Sequence, residues 1–362
     1  MSSCFGQHLH LSLFGQSHGE AIGIAMDGFP AGMAIDMEAL LREMARRAPG
    51  QSDMATPRRE ADQPEFLSGV MNGRTTGQPI CAVIRNTNTR SADYGTGVDL
   101  VRPGHADYTG HVRYFGFEDW RGGGHFSGRL TAPIVLAGAL CRQYLQAQGV
   151  EIVSHIQQLE HVHDISFLEN PKVDYTKLRS MTLPVLTDGL DKAMHETVLA
   201  AKGEGDSVGG VIECMATGLP AGLGAPFFDS AESVLSHLMF SIPAVKGVSF
   251  GEGFGFASLR GSQANDAFRM KDGQVITETD HCGGILGGIT DGMPLIFRCC
   301  IRATPSIAKE QETVSLHNSE NARLAIKGRH DPCILPRAIP VVEAMTAIGL
   351  MEMWKERAAC VR

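Results

Sequence analysis

The sequence predicts an α/β chain of the α+β type, a layered sandwich with mainly antiparallel sheets, built as one domain over residues 1–362. Three observations predict it. Short apolar or alternating segments outnumber long helical stretches. No βαβαβ succession repeats along the chain, which argues against a doubly wound parallel sheet. The 42 glycines gather in compact stretches at 15–28, 104–128, 203–224, 247–261 and 283–292, so none of them forms a flexible linker between two halves.

In chain order, residues 9–14 and 21–26 read as the first strands. Asp36 is placed to cap a helix from Met37 to about Ala48, with Glu38 in its first turn and Arg46 and Arg47 in its last. Leu40, Leu41 and Met44 give that helix an apolar side, and Pro49-Gly50 stops it. Residues 80–84 form the next strand. Thr131 and Pro133 open a helix to about Gln148 that Gly149 ends. A strand at 209–216 precedes a helix capped by Ser230 and reaching about Phe240, before Pro243. Strands at 245–250 and 294–301 follow, and a last helix runs from about Pro340 to Ala358 through Val341, Met345, Ile348 and Met351.

Hydrophobic content of 43% and charged content of 20% suffice for a sizeable core without metal or disulfide staples. The nine cysteines are odd in number and form no CxxC pair, which suits reduced thiols in a cytosol. The start of the chain has no basic region followed by an apolar one, and no run of eighteen apolar residues occurs. A soluble cytoplasmic protein, without a membrane span, is the expectation. The net charge of −8 argues against nucleic-acid binding. Arginines nevertheless collect locally: Arg42, Arg46 and Arg47; Arg58 and Arg59; Arg113, Arg121 and Arg129; Arg323, Arg329 and Arg337. Focal guanidinium clusters in an acidic chain suit a small anionic ligand held in a pocket.

Three stretches carry chemistry. Phe14-Gly15-Gln16-Ser17-His18-Gly19-Glu20 sets a histidine in a glycine-bounded turn after a strand, where an imidazole titrating near pH ~6.5 can protonate a departing phosphate. Arg102-Pro103-Gly104-His105-Ala106-Asp107 adds a second histidine between charges. Asp119 to Arg129 follows, with Gly122-Gly123-Gly124 allowing close approach to a ligand and Ser127 and Arg129 leading into a helix N-terminus suited to phosphate. The third is Lys327-Gly328-Arg329-His330-Asp331, ahead of Arg337 and Glu343, joining an anion clamp to a proton carrier. There is no Walker A sequence, and Gly251 to Gly255 lacks dinucleotide-binding spacing. His161-Val162-His163-Asp164 reads as a metal pair or as a solvated loop.

These stretches, in this order and spacing, resemble the chorismate synthase family. The resemblance spans essentially the whole chain and includes residues 69–77, Asn86-Thr87, Ser91-Ala92-Asp93-Tyr94, Ala244-Val245-Lys246-Gly247, Arg260-Gly261-Ser262 and Gly283-Gly284-Ile285-Leu286-Gly287-Gly288-Ile289. It implies a β-α-β sandwich with two mainly antiparallel sheets flanked by helices, in a homotetramer. It also implies the 1,4-elimination of phosphate from 5-enolpyruvylshikimate 3-phosphate to give chorismate, the last step of the shikimate pathway to aromatic amino acids, with reduced FMN required. Carried onto matching positions, His18 protonates the leaving phosphate, His105 supports the reduced flavin, and Asp331 assists removal of the substrate proton. Arg46, Arg47, Arg129 and Arg337 take the substrate side. Ser127, Ala244, Gly287, Arg302, Ala303, Thr304, Pro305, Ser306 and Arg329 take the flavin side, and no metal is implied.

The chain departs from the family pattern at Gln16, where an acid is usual, at Ala48 in place of a third arginine, at His125-Phe126 in place of Arg-Ser, and in the run from Arg302 to Ser306, which a lysine usually leads. Asp53 replaces an arginine associated with NADPH, which puts intrinsic flavin reduction in question. Two other readings stand beside the lyase. A metal-assisted phosphatase needs a ligand set the sequence does not assemble, and a non-catalytic module for an acidic metabolite keeps the arginines without the proton carriers.

Overall fold

The computed structural model describes residues 3–50, 54, 62–87, 99–326 and 331–360. Its helices are α1 (Met37–Arg47), α2 (Asp107–Arg113), α3 (Thr131–Gln146), α4 (Tyr175–Ser180), α5 (Leu190–Gly203), α6 (Ala231–Phe240), α7 (Gly261–Ala264) and α8 (Leu335–Cys360). Helices α3 and α8 set the architecture. A helix that is apolar on every side must lie inside, and α3 is buried without a break from Thr131 to Arg142, α8 from Leu335 to Met353 apart from Pro336 and Arg337. They cross so closely that a Cβ on Gly138 would lie 2.3 Å from that of Ala344.

Each of the two buried helices also rests on a sheet. Helix α3 packs on the strands Ala21–Asp27 and Ile80–Arg85, and α8 on Glu151–Leu159 and Gly210–Thr217. The first sheet runs Cys4–Phe5, His10–Gly15, Ala21–Asp27, Ile80–Arg85, Pro64–Ser68, antiparallel throughout. The second runs Val245–Phe250, Leu295–Ile301, Gly210–Thr217, Glu151–Leu159, Val162–His163, again antiparallel. The layer order is therefore sheet, helices, sheet, as an α+β sandwich requires. Helix α1 lies against α3 and α8, and α6 against α8 and the Val245–Phe250 strand. Asp36 caps α1 by accepting from the Ala39 N–H at 2.9 Å, and Ser230 caps α6 through Ser233 at 3.1 Å.

Two helix bounds differ from expectation. Helix α8 begins at Leu335, so Pro340 sits inside it, where the missing N–H costs one bond close to the helix start. Helix α3 ends at Gln146, and Gly149 lies beyond it with φ +87°. The strand Glu151–Leu159 was not legible because Ser154 and His155 interrupt its apolar pattern, yet both are buried.

What buries His155 is a charge network on the outer side of the second sheet. Its Nε2 meets Glu213 at 3.0 Å and its Nδ1 lies 3.4 Å from Asp164. Glu213 also accepts from the Ser166 hydroxyl (2.7 Å), the Phe167 N–H (2.6 Å) and Arg298 (2.9 Å). Asp164 is thus turned inward and His161 is left exposed against Glu160, so the His161–Asp164 run forms no metal pair. No group of side chains suited to a metal occurs among the described residues. Burial would lower the His155 imidazole, but the two carboxylates outweigh it and raise it. Burial likewise opposes ionisation of Asp164, which the His155 ring and nearby N–H groups bring down to about 2. A raised histidine contributes stability that is complete below its unfolded value and is lost as pH climbs through its folded value. The melting temperature should accordingly fall as pH rises above ~6.5, and it should fall less steeply in His155→Gln. Equal slopes in stepped-pH melts of the two proteins would refute the assignment.

Candidate active site

The His10–Gly15 strand ends at Gly15, whose φ of +97° turns the chain back toward Ala21–Asp27. The turn buries Ser17 and His18, at 1% and 8% exposure. The Ser17 N–H donates to the Gly124 carbonyl at 3.1 Å. Gly122, Gly123 and Gly124 have φ of 61°, 81° and 55°, a succession that side chains rarely adopt. A Cβ on Gly122 would stand 2.1 Å from the His18 ring, and one on Gly123 3.3 Å from the His105 ring. The bare backbone of two consecutive glycines therefore runs between the two imidazoles, and separate parts of the sequence meet there.

His105 is oriented by its own loop. Its Nδ1 lies 2.7 Å from Asp107, which Arg102 grips through Nε and a terminal nitrogen, both at 2.7 Å. Burial would raise the Asp107 carboxyl, but hydrogen bonds from Arg102 and His105 hold it far below the usual carboxylate range. An ionised Asp107 keeps the proton on Nδ1 and turns Nε2 toward Gly123. Asp119 supplies negative charge near His18 and is itself held ionised by bonds from Arg121 at 2.8 Å. It partly answers the loss of an acid at Gln16. His125, where an arginine is usual, bonds the Gly15 carbonyl and the Ser3 hydroxyl, both at 2.9 Å, and so ties the glycine run to the strand end before His18.

A second cluster gathers guanidinium groups. Buried Arg47 donates to Asp62 (2.9 Å), Thr131 (3.0 Å) and the Gly128 carbonyl (2.7 Å). Arg129 pairs with the other oxygen of Asp62 and donates through Nε to Asn86 at 3.1 Å. Arg337 donates to Asp331 at 2.5 Å and to the Arg47 carbonyl at 3.1 Å. Burial, and then the charge of Arg337, push Arg47 down to about 9, which leaves it cationic at neutral pH. Three guanidinium groups thus surround two carboxylates, Asp62 and Asp331. Asp62, which links Arg47 to Arg129, drew no notice in the sequence because a lone aspartate carries no pattern.

Arg46 is not part of that cluster. One residue along α1 turns the side chain by about 100°, and Arg46 instead meets Glu43 and Glu343, both at 2.6 Å, in a buried network with Arg142. The resemblance sets Arg46 on the substrate side, and here two carboxylates hold its guanidinium. Ala48, at the C-cap of α1, is buried and carries no charge.

The flavin-side positions fall largely together. Ser127 caps the turn Gly128–Leu130 through the Arg129 N–H (3.3 Å) and borders Gly123. The Arg302 N–H donates to the Ala244 carbonyl at 3.0 Å, and its guanidinium reaches the Gly104 carbonyl at 3.1 Å, beside His105. Ala303, Thr304, Pro305 and Ser306 continue from there; Ser306 is buried, and the buried Thr304 hydroxyl has no partner among the described residues. Gly287 stands apart. It lies in a tight hairpin turn packed at the Ser230 end of α6, whereas Ala244 follows the other end, about 15 Å of helix away. Arg329, with His330, Arg58, Arg59, Asp53 and residues 91–94, lies outside the described residues.

Comparison with known proteins identifies the family. The family model described as chorismate synthase matches residues 9–354. A chorismate synthase of Dehalococcoides mccartyi (strain ATCC BAA-2100 / JCM 16839 / KCTC 5957 / BAV1) is 45% identical over 98% of this chain and 96% of its own length. One from Thermococcus kodakarensis is 44% identical over 98% of each. A solved structure titled "Crystal Structure of Chorismate Synthase" superposes with a TM-score of 0.76 at 27% identity, covering 97% of this chain and 93% of that one. The chain belongs to the chorismate synthase family and is a carbon–oxygen lyase acting on phosphates.

Proposed function

We propose that the chain converts 5-enolpyruvylshikimate 3-phosphate to chorismate and phosphate by 1,4-elimination, with reduced FMN as a required cofactor. The observation that carries this reading is the pair of imidazoles, His18 and His105, set on either side of one glycine backbone next to a guanidinium cluster. The residues present suit a flavin mononucleotide. Arg302, which reaches the Gly104 carbonyl beside His105, with Ser127, Ser306 and the orphaned Thr304 hydroxyl, would form a donor set for its phosphate tail. When bound, the reduced flavin supplies electron density that assists loss of phosphate and is recovered as the ring proton departs.

The protein's share is binding and proton control. The substrate carries roughly four negative charges, which Arg47, Arg129 and Arg337 offset, each close pair contributing about 4 kcal/mol of attraction before desolvation. His18 gives its proton to the departing phosphate oxygen. His105, its ring held in place by Asp107 at 2.7 Å, would support the reduced flavin. Asp331, fixed by Arg337, is the carboxylate assigned to the proton that leaves the substrate ring.

Asp107→Asn, which takes away the carboxylate that orients the His105 ring, should weaken turnover about tenfold, with substrate affinity unchanged; a normal rate would remove Asp107 from this role. A homotetramer and a cytoplasmic setting go with the reading. Asp53, in place of an arginine associated with NADPH, puts intrinsic flavin reduction in question. Anaerobic phosphate release measured with and without reduced FMN tests the whole. Release that needs no flavin would favour a phosphatase, and tight binding without release a metabolite-binding module.

A further inference from the structure

We propose that Asn86 is a positioning residue that couples the phosphate-side guanidinium of Arg129 to the loop carrying His18. The inference rests on the reading that His18 protonates the leaving group. The Asn86 backbone is fixed first: its N–H donates to the Glu20 carbonyl at 3.1 Å, one step beyond the Ala21–Arg85 pair of the first sheet. Its side chain then reaches two elements at once. Nδ2 donates to the Gln16 carbonyl at 3.0 Å and to the Gly19 carbonyl at 2.9 Å, the two residues that bracket Ser17 and His18. Oδ1 accepts from Arg129 Nε at 3.1 Å.

A primary amide has two N–H donors and a carbonyl acceptor, and here both ends are engaged. Two carbonyl partners on one side and a guanidinium on the other also leave only one orientation of the amide. Aspartate in its place would set an anion against two carbonyl oxygens, and leucine would bond to neither side. On its opposite face the same loop is held by the Ser17–Gly124 and Gly15–His125 bonds. Asn86 is the tether whose far end is an arginine facing the substrate phosphate, so the position of the proton donor and that of the anion it serves are set by one rigid group. Displacement of a proton donor by a fraction of an ångström lowers turnover steeply, while binding depends on Arg129.

The coupling is tested by anaerobic kinetics with reduced FMN and by calorimetric binding of 5-enolpyruvylshikimate 3-phosphate. Asn86→Asp keeps the acceptor for Arg129 and loses both tethers, so kcat should fall about tenfold with the dissociation constant within about threefold of wild type. Asn86→Leu should lose both properties, and should bind about fivefold or more weaker. In a His18→Ala background, Asn86→Asp should cost no further turnover, because both changes act on one proton transfer. If Asn86→Asp does not fold, Asn86→Ser, which shortens the side chain out of reach of Arg129, carries the comparison and should lower kcat alone and not in the His18→Ala background. A normal kcat in the Asn86 variants beside an impaired His18→Ala would overturn the coupling, as would independent, multiplying losses in the double variant. A His18→Ala enzyme with normal turnover would overturn the role of His18 itself.

Discussion

Replacing His18 by alanine should lower phosphate release at least ~10²-fold, the usual scale for a positioned general acid, and Gly122→Ala should reproduce most of that loss without removing any titratable group. The second half of the expectation follows from space. A Cβ at Gly122 would lie 2.1 Å from the His18 ring and 3.0 Å from the Ser17 hydroxyl, and the backbone there has φ +61°. Nothing at that position can shift cheaply, because Ser17 is bonded to Gly124 and the next glycine abuts His105. The imidazole must rotate away or the loop must open. Single-turnover phosphate release, measured with saturating reduced FMN, separates the chemical step from product release. A Gly122→Ala enzyme with normal kcat would mean that the His18 ring does not need its present place, and a normal His18→Ala enzyme would assign the proton to another group.

The same glycines show what the sequence discloses and what it withholds. A triplet flanked by arginine and histidine announced a site, because only glycine tolerates the backbone that three consecutive positive φ values require. The helix caps at Asp36 and Ser230 were legible for a similar reason, since a short polar side chain before an apolar period has a local function. Partnership across the fold was not legible. Arg46 and Arg47 are adjacent and chemically identical, yet one meets Glu343 in the helical layer and the other meets Asp62, which Arg129 shares. Only the rotation of α1 against α3 and α8 decides between them. Asn86, Asp62 and Asp119 act through neighbours distant in sequence, and a single asparagine or aspartate gives no period or spacing to read. Glu151–Leu159 was missed because a buried charge network looks like a polar surface in a string of letters.

Asp62→Asn should be the most destabilising substitution in the site, at about 3–5 kcal/mol, the cost of leaving buried charge without its partner. The carboxylate is fully enclosed and shared by two guanidinium groups. Arg47 already has burial and the charge of Arg337 set against it, and Asp62 is the counterion that opposes them. Neutralising Asp62 takes away the carboxylate that Arg47 and Arg129 share, and the amide must also present an N–H₂ group to one of two donors. The resulting strain has a specific remedy. An anion bound at the cluster supplies the missing negative charge, so the variant's melting temperature should rise more steeply than wild type as the enolpyruvyl substrate is added, by mass action on the folded state. A variant melting within a degree of wild type would show that Asp62 does not balance the arginines. A large loss of stability that substrate cannot restore would place Asp62 in the core's support and not in the anion site.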